Sequence, residues 1–323
     1  MTNYNFLGKA RLLTPLSIGL VVVSILLVAF LGLRAGVDFT GGSQFTVIYP
    51  EGAEVEAEDI RSYLSRYEDQ GVLQAEVHVQ ATSFEREGVL LPGKIVTLRI
   101  DPERHEELVR RIRQELADPP ADAGLPAAFR AEGEEGVSFT GVGPQVSGEL
   151  INRAWQAILI ALGALLVYIS WRFRLRYAVG AIAALVHDVT IALGLFALFQ
   201  VEISLPVIAG FLTVVGYSLN DTIVIYDRVR ENLMGMKKVP IADVINRSAN
   251  QSLSRSINTS LSTLIPVVIL YAFGGPALQP FAFALLIGVI VGTYSSFFVA
   301  NPVLWRWAIA AAQMKRKAKA SAR

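Results

Sequence analysis

Six stretches of this chain run for about 20 mostly apolar residues each, the length a helix needs to cross a hydrocarbon core. They fall at roughly 13–33, 151–171, 177–199, 203–226, 251–273 and 280–303. Hydrophobic residues make up 53% of the 323, too many for an ordinary soluble protein, so the chain reads as an α-helical membrane protein with six transmembrane helices. Lys9 and Arg11 precede the first stretch and no small-residue cleavage site follows it. It therefore reads as an uncleaved signal-anchor. Cysteine is absent, which excludes disulfides, thiolate metal sites and a cysteine nucleophile.

The net charge of +1 hides a strong segregation. Residues 35–150 hold 22 acidic and 10 basic side chains, a net of −12, and the remainder of the chain carries +13. The bases outside that block cluster before the first span, at Arg172–Arg176, between spans four and five, and after span six. With six spans all these clusters fall on one face, which the positive-inside bias makes cytoplasmic. The expected layout is a cytoplasmic N-terminus and first span (1–34), an exported acidic domain (35–150), a bundle of spans two to six (151–310) and a basic cytoplasmic tail (311–323). Both termini are then inside. The basic residues need no nucleic acid to account for them; membrane lipid is the expected surroundings.

Within the acidic block, SQFTVIY (43–49), AEVHVQATSF (75–84), KIVTLRI (94–100) and GVSFTGVG (136–143) read as strands. Residues 55–68 space Ile60, Tyr63, Leu64 and Tyr67 as a helix does, and 102–118 reads as a second helix with Asp101 as cap and Pro102 at its first position. The order β-α-β-β-α-β predicts an exported α+β ferredoxin-like domain, a fold that specifies no function. The tail beyond Gln313 reads as disordered.

Ionisable residues inside the spans point to function. Asn220 and Asp221 lie within span four, and Asp221 sits six residues before the boundary at Asp227, roughly 9 Å inside it. Arg255, on the antiparallel span five, falls roughly 8 Å inside the same boundary. The matched depth makes the two natural partners, in a polar seam with Ser218, Asn258, Thr259 and Ser262. Two readings stand: a static pair that fixes helix register, or a switchable pair whose separation lets Asp221 take up a proton. Span three carries His187 and Asp188 near mid-membrane. As adjacent helical residues they are expected to face different directions and not to pair, with each a candidate for a polar path.

The remaining motifs read as structural. GVDFTGG (36–42) suits a tight exit from the first span. Gly288 and Gly292 form a GxxxG that marks close helix packing; Gly210 and Gly216 are expected to admit neighbours in the same way, and GGP (274–276) reads as a tight external turn. His78 and His105 lack ligand spacing, so no metal site is expected. No GxGD motif accompanies Asp227, which reads as a boundary charge among arginines, so no enzyme activity is expected.

GVDFTGG, SLNDTIVIYDRVREN (218–232) and FGGPALQPFAFALLIGVIVGTYSSFFVA (273–300), together with the exported domain of about a hundred residues, resemble the SecD/SecF family of protein-export membrane proteins, and within it the smaller, SecF-type half. The resemblance covers nearly the whole chain. It implies membership of the resistance-nodulation-division superfamily, in which two six-helix halves make a twelve-helix unit, with a SecD half, separate or fused, completing this one. It implies association with the SecYEG translocon in the bacterial inner membrane and use of the proton-motive force to assist preprotein translocation, protons being the coupling ion and no cofactor being needed. The family's helix-four Asp and helix-five Arg, tied to proton conduction, match Asp221 and Arg255, and a further family Asp lies on SecD. The competing expectations are a proton-coupled efflux half-transporter for a small molecule or lipid, and a passive scaffold of a translocon.

Overall fold

The computed structural model describes residues 4–40, 42–50, 56–65, 76–86, 89–100, 106–119, 137–142, 144–172, 175–236 and 239–321. In chain order the elements are α1 (Phe6–Leu31), α2 (Val37–Thr40), β1 (Gly42–Pro50), α3 (Ala57–Leu64), β2 (Glu76–Arg86), β3 (Val89–Ile100), α4 (Glu106–Ala117), β4 (Val137–Val142), α5 (Pro144–Arg172), α6 (Leu175–Phe199), α7 (Leu205–Gly235), α8 (Ile241–Phe273), α9 (Gly275–Ser295), a π-helical turn (Ser296–Ala300) and α10 (Asn301–Ser321). They divide into two compact units. One comprises Met1–Arg34, Ala157–Tyr271 and Pro280–Arg323, and the other Ala35–Gln156 with Ala272–Gln279.

The second unit is built on a four-stranded sheet of order β2-β3-β1-β4. Each neighbouring pair is antiparallel, so β1 and β2 flank β3 while β3 and β4 flank β1. This interleaves two split β-α-β units. Alternation on β1 buries Phe45, Val47 and Tyr49, the period-2 face of a strand. Helical spacing buries Ile60, Tyr63 and Leu64 on α3 and Ile112 and Leu116 on α4, the stripes expected of helices covering a sheet. The Tyr63 hydroxyl donates to the Glu115 carboxylate, tying α3 to α4. The expected caps of α4, Asp101 and Pro102, lie outside the described residues.

The first unit contains helices long and apolar enough to cross a membrane, and over the whole chain six such spans are found among the described residues: Phe6–Leu31, Val146–Ile169, Leu175–Phe199, Leu205–Gly235, Ile241–Phe273 and Ala277–Met314. The chain is a multi-pass membrane protein. α6, α7 and the α9–α10 span are the inner helices, whereas α1, α5 and α8 leave most of their surface open. Small residues set the spacing of the inner ones, as membrane packing requires. A Cβ at Gly288 would lie 2.1 Å from Val214, and one at Gly292 would lie 3.0 Å from the Ser218 Cβ. The GxxxG of α9 thus meets α7 at two successive turns. A Cβ at Gly210 would sit 3.1 Å from the Phe281 ring, but one at Gly216 would meet nothing within 4 Å. Among the described residues Gly216 meets no neighbour, whereas the expectation was that it would admit one.

Two helices continue well past their apolar windows. α7 runs to Gly235 and α8 starts at Ile241, because polar side chains clamp the extensions together. Asn232 donates to Ser248 Oγ and to Gln251 Oε1, each at 2.8 Å, and Arg228 donates to Gln251 at 2.8 Å and to Glu231 at 2.6 Å. The N-terminus of α1 is capped by Asn5, which accepts from the Gly8 N–H at 2.7 Å. Asn246 and Asn250 of α8 bond the backbone of Leu7 and Tyr4 there. The tail expected to be disordered is helical as far as Ser321. Its run of Ala, Lys and Arg combines the strongest helix formers, and propensity decides where packing does not.

Two outcomes test this packing. A Cβ at Gly194 would fall 2.4 Å from the Ser24 Cβ, where α6 meets α1. Gly194→Val is expected to lower stability by about 1–3 kcal/mol, read as a lower thermal midpoint of the purified protein. Gly216→Ala, in open space, is expected to be neutral or to raise stability by up to about 1 kcal/mol. In the sheet unit, burial pushes the Tyr49 phenol from its ordinary 10.0 up to about 12. The neutral phenol therefore favours the folded form below pH 10, and that contribution is lost as pH rises through about 12. Tyr49→Phe should remove this alkaline step, followed by tyrosinate absorbance and circular dichroism.

Candidate functional site

α7 presents polar side chains on two faces. On the first, Ser218, Thr222 and Tyr226 recur every four residues and all are buried. Each meets a partner across a helix boundary. Ser218 Oγ donates to Asp188 Oδ2 of α6 at 2.5 Å. Thr222 Oγ1 and Ser296 Oγ of the π-helical turn lie 2.8 Å apart. Tyr226 donates to the Ala300 carbonyl at 2.8 Å, beside Gly180, where any Cβ would overlap its hydroxyl.

Asp188 is the centre of this face. It is 1% exposed. Its Oδ2 also accepts from Ser295 Oγ, at the end of α9, at 2.7 Å, and its Oδ1 lies 2.8 Å from His187 Nδ1. The expectation that His187 and Asp188 cannot pair is therefore overturned. The Cα–Cβ bonds of adjacent residues do diverge, but rotation about the side-chain torsions folds the imidazole back over the neighbouring carboxylate. His187 stacks against Tyr294, ring centroids 6.1 Å apart, and the Tyr294 hydroxyl in turn lies 2.9 Å from Ser17 Oγ of α1. The buried Nε2 of His187 has no partner among the described residues.

The second face carries Asp221, 3% exposed and turned toward α8. Thr259 Oγ1 of α8 reaches its Oδ1 at 3.5 Å, at the limit of a hydrogen bond. The same hydroxyl also lies 3.0 Å from the Arg255 carbonyl. Ser256 lies beside the carboxyl group, yet its Oγ makes no hydrogen bond of normal geometry, and Asp221 Oδ2 is likewise buried without a partner among the described residues.

The expected seam around Asp221 is thus rearranged. Among the described residues no ion pair joins Asp221 to Arg255; Arg255 is exposed and acts on the carboxylate only at longer range. The register explains this, since Thr259, one turn beyond Arg255, is the residue level with Asp221. Ser218 serves Asp188 instead. Asn220 and Asn258 are exposed, and the exposed Ser262 bonds back to the carbonyls of Asn258 and Thr259 at 2.7 and 3.0 Å. Sequence reasoning missed Thr222, Tyr226, Ser256, Ser295 and Ser296. The signals were present: a polar TYSS run (293–296) inside the last span, and the four-residue spacing of Ser218, Thr222 and Tyr226.

Comparison with known proteins places these residues in context. The family model described as protein export membrane protein SecD/SecF, C-terminal, matches residues 127–310. The chain is 42% identical over 291 residues to the protein translocase subunit SecF of Desulfurispirillum indicum, covering 89% of this chain and 86% of that one. It is 38% identical over 306 residues to the protein translocase subunit SecDF of Thermus thermophilus, covering 94% of this chain but 38% of that longer protein. The crystal structure of the Thermus SecDF, described as a translocon-associated membrane protein, superposes with a TM-score of 0.78 at 34% identity over 95% of this chain and 39% of that one.

A buried and an exposed polar position of α7 predict different sensitivities. Thr222→Val removes the bond to Ser296 from a buried position and is expected to lower stability by about 1 kcal/mol. Asn220→Ala, exposed on the same helix, should stay within about 0.5 kcal/mol of the parent. Thermal unfolding of both proteins in one detergent checks the contrast.

Proposed function

The chain belongs to the SecD/SecF family of protein-export membrane proteins and serves protein translocation; we propose that it does so as the smaller, SecF-type half of a SecDF complex, driven by protons. The observation that carries the proton reading is Asp221: a carboxyl group buried in a membrane-spanning helix, held by one 3.5 Å hydrogen bond, with its second oxygen unpartnered among the described residues. A group so weakly satisfied is suited to changing its protonation state, because little has to be broken when it does. Arg255, exposed one turn from Thr259 on α8, is the charge that approach of the helices would bring to bear.

In this reading residues 35–150 form an exported ferredoxin-like domain, which the interleaved split β-α-β topology supports. Segments 1–34 and 151–310 lie in the bacterial inner membrane, with both termini and the basic tail 311–323 cytoplasmic, supported by the clustering of Lys and Arg. A SecD half completes the bundle, as fusion of the two in the Thermus relative suggests, and the SecYEG translocon and an emerging preprotein are the other partners. Protons serve as the coupling ion, and the chain needs neither a cofactor nor an enzymatic site. Protonation of Asp221 removes its attraction for Arg255, α7 and α8 shift relative to one another, and the exported domain moves with the preprotein. A charge crossing 100 mV releases about 2.3 kcal/mol, enough to bias such a two-state motion.

The test is Asp221→Asn in cells whose export is followed by preprotein processing. The expected result is an assembled complex that has lost proton-dependent stimulation of export. Undiminished stimulation would overturn the proton reading, and so would restoration by a second change, Arg255→Gln, since a passive pair needs only neutrality.

A further inference from the structure

We propose that Asp188 is a positioning residue that pins α7 to α6 and α9, so that these three helices move as one body and α8 is the element that shifts when Asp221 changes charge. The inference rests on the proton reading for its trigger, but the pin itself is a statement about hydrogen bonds.

The two faces of α7 are held in opposite ways. Toward α6 and α9, Asp188 takes one hydroxyl from each neighbour, Ser218 at 2.5 Å and Ser295 at 2.7 Å. Hydrogen bonds to a carboxylate are roughly twice as strong as neutral ones. One and two turns further along α7, Thr222 and Tyr226 add bonds to Ser296 and Ala300. Gly292 lets the Ser218 backbone approach closely enough for all three to form at once. Toward α8, by contrast, Asp221 has one hydrogen bond among the described residues, to Thr259 at 3.5 Å, and the buried Ser256 Oγ beside it has no hydrogen-bond partner among them. At its own level, a perturbation at Asp221 is therefore opposed by a continuous ladder on one side and by one long bond on the other; the α7–α8 bonds of Arg228 and Asn232 to Ser248 and Gln251 lie two and three turns further along α7. The motion goes to the less satisfied side.

The chain contains no cysteine, so pairs of spin labels can be placed without a background to remove. Thr213 on α7, Val186 on α6, Ile290 on α9 and Leu261 on α8 are exposed. Distances are measured by electron spin resonance on the full-length protein in lipid nanodiscs. In Asp221→Asn, the Thr213–Leu261 distribution is expected to shift or broaden, while Thr213–Ile290 and Thr213–Val186 stay as in the parent. In Ser218→Ala/Ser295→Ala, which removes both hydroxyls and leaves Asp188 in place, Thr213–Ile290 is expected to broaden. Adding Asp221→Asn to that background should now move α7 against α9 as well, an effect that lost stability alone would not produce. If the double variant does not fold, Ser295→Ala alone is read in the same way. The proposal is overturned if Asp221→Asn displaces α7 from α9 as much as from α8, or if loss of the serine hydroxyls leaves Thr213–Ile290 unchanged. Normal export by Asp221→Asn would remove the trigger and not the pin, which stands or falls on the serine variants.

Discussion

The acceptance of two serine hydroxyls from different helices by one buried carboxylate, Asp188, organises the membrane unit. A carboxyl group in hydrocarbon is costly unless partners satisfy it. Meeting that demand draws α7 and the end of α9 onto α6. The helices can come close enough only because Gly288 and Gly292 leave room for Val214 and Ser218, and Gly180 leaves room for the Tyr226 hydroxyl. Polar demand and small-residue spacing are thus two halves of one constraint. The π-helical turn at Ser296–Ala300 falls where α9 must offer Ser295 to α6, Ser296 to α7 and the Ala300 carbonyl to Tyr226. Such local unwinding inside a helix commonly marks functional sites.

The parts of this arrangement that follow from composition and period were legible in the sequence. Six apolar windows, the acidic insert between the first and second, and the alternation of the SQFTVIY strand each report a one-dimensional property. Pairing across helices is different in kind. Depth matching puts Asp221 and Arg255 at one level only if each boundary lies at the end of an apolar window. α7 and α8 in fact continue as polar helices beyond it, and the residue that meets Asp221 is Thr259. The angular rule for adjacent residues likewise treats side chains as fixed spokes, and so excluded the His187–Asp188 contact that torsional freedom permits. Ser295 and Ser296 were hidden by an apolar neighbourhood, although a polar pair at the end of a membrane helix with a GxxxG one turn away signals a partner close by.

Magnitudes separate what a membrane potential can move from what it cannot. A proton crossing 100 mV carries about 2.3 kcal/mol, and one hydrogen bond to a charged group contributes about 1.5–3 kcal/mol net. On the proton-driven reading, a single charge is therefore matched in energy to a single such bond. The α7–α8 contact at Asp221 consists of one long bond at 3.5 Å, within that reach. The α7 face toward α6 and α9 consists of the Ser218–Asp188 bond backed by the Thr222 and Tyr226 rungs and by the Ser295–Asp188 bond. Releasing these together exceeds what one charge supplies. The same carboxylate chemistry thus yields two different devices in one helix: fully satisfied at Asp188 it holds, and half satisfied at Asp221 it yields.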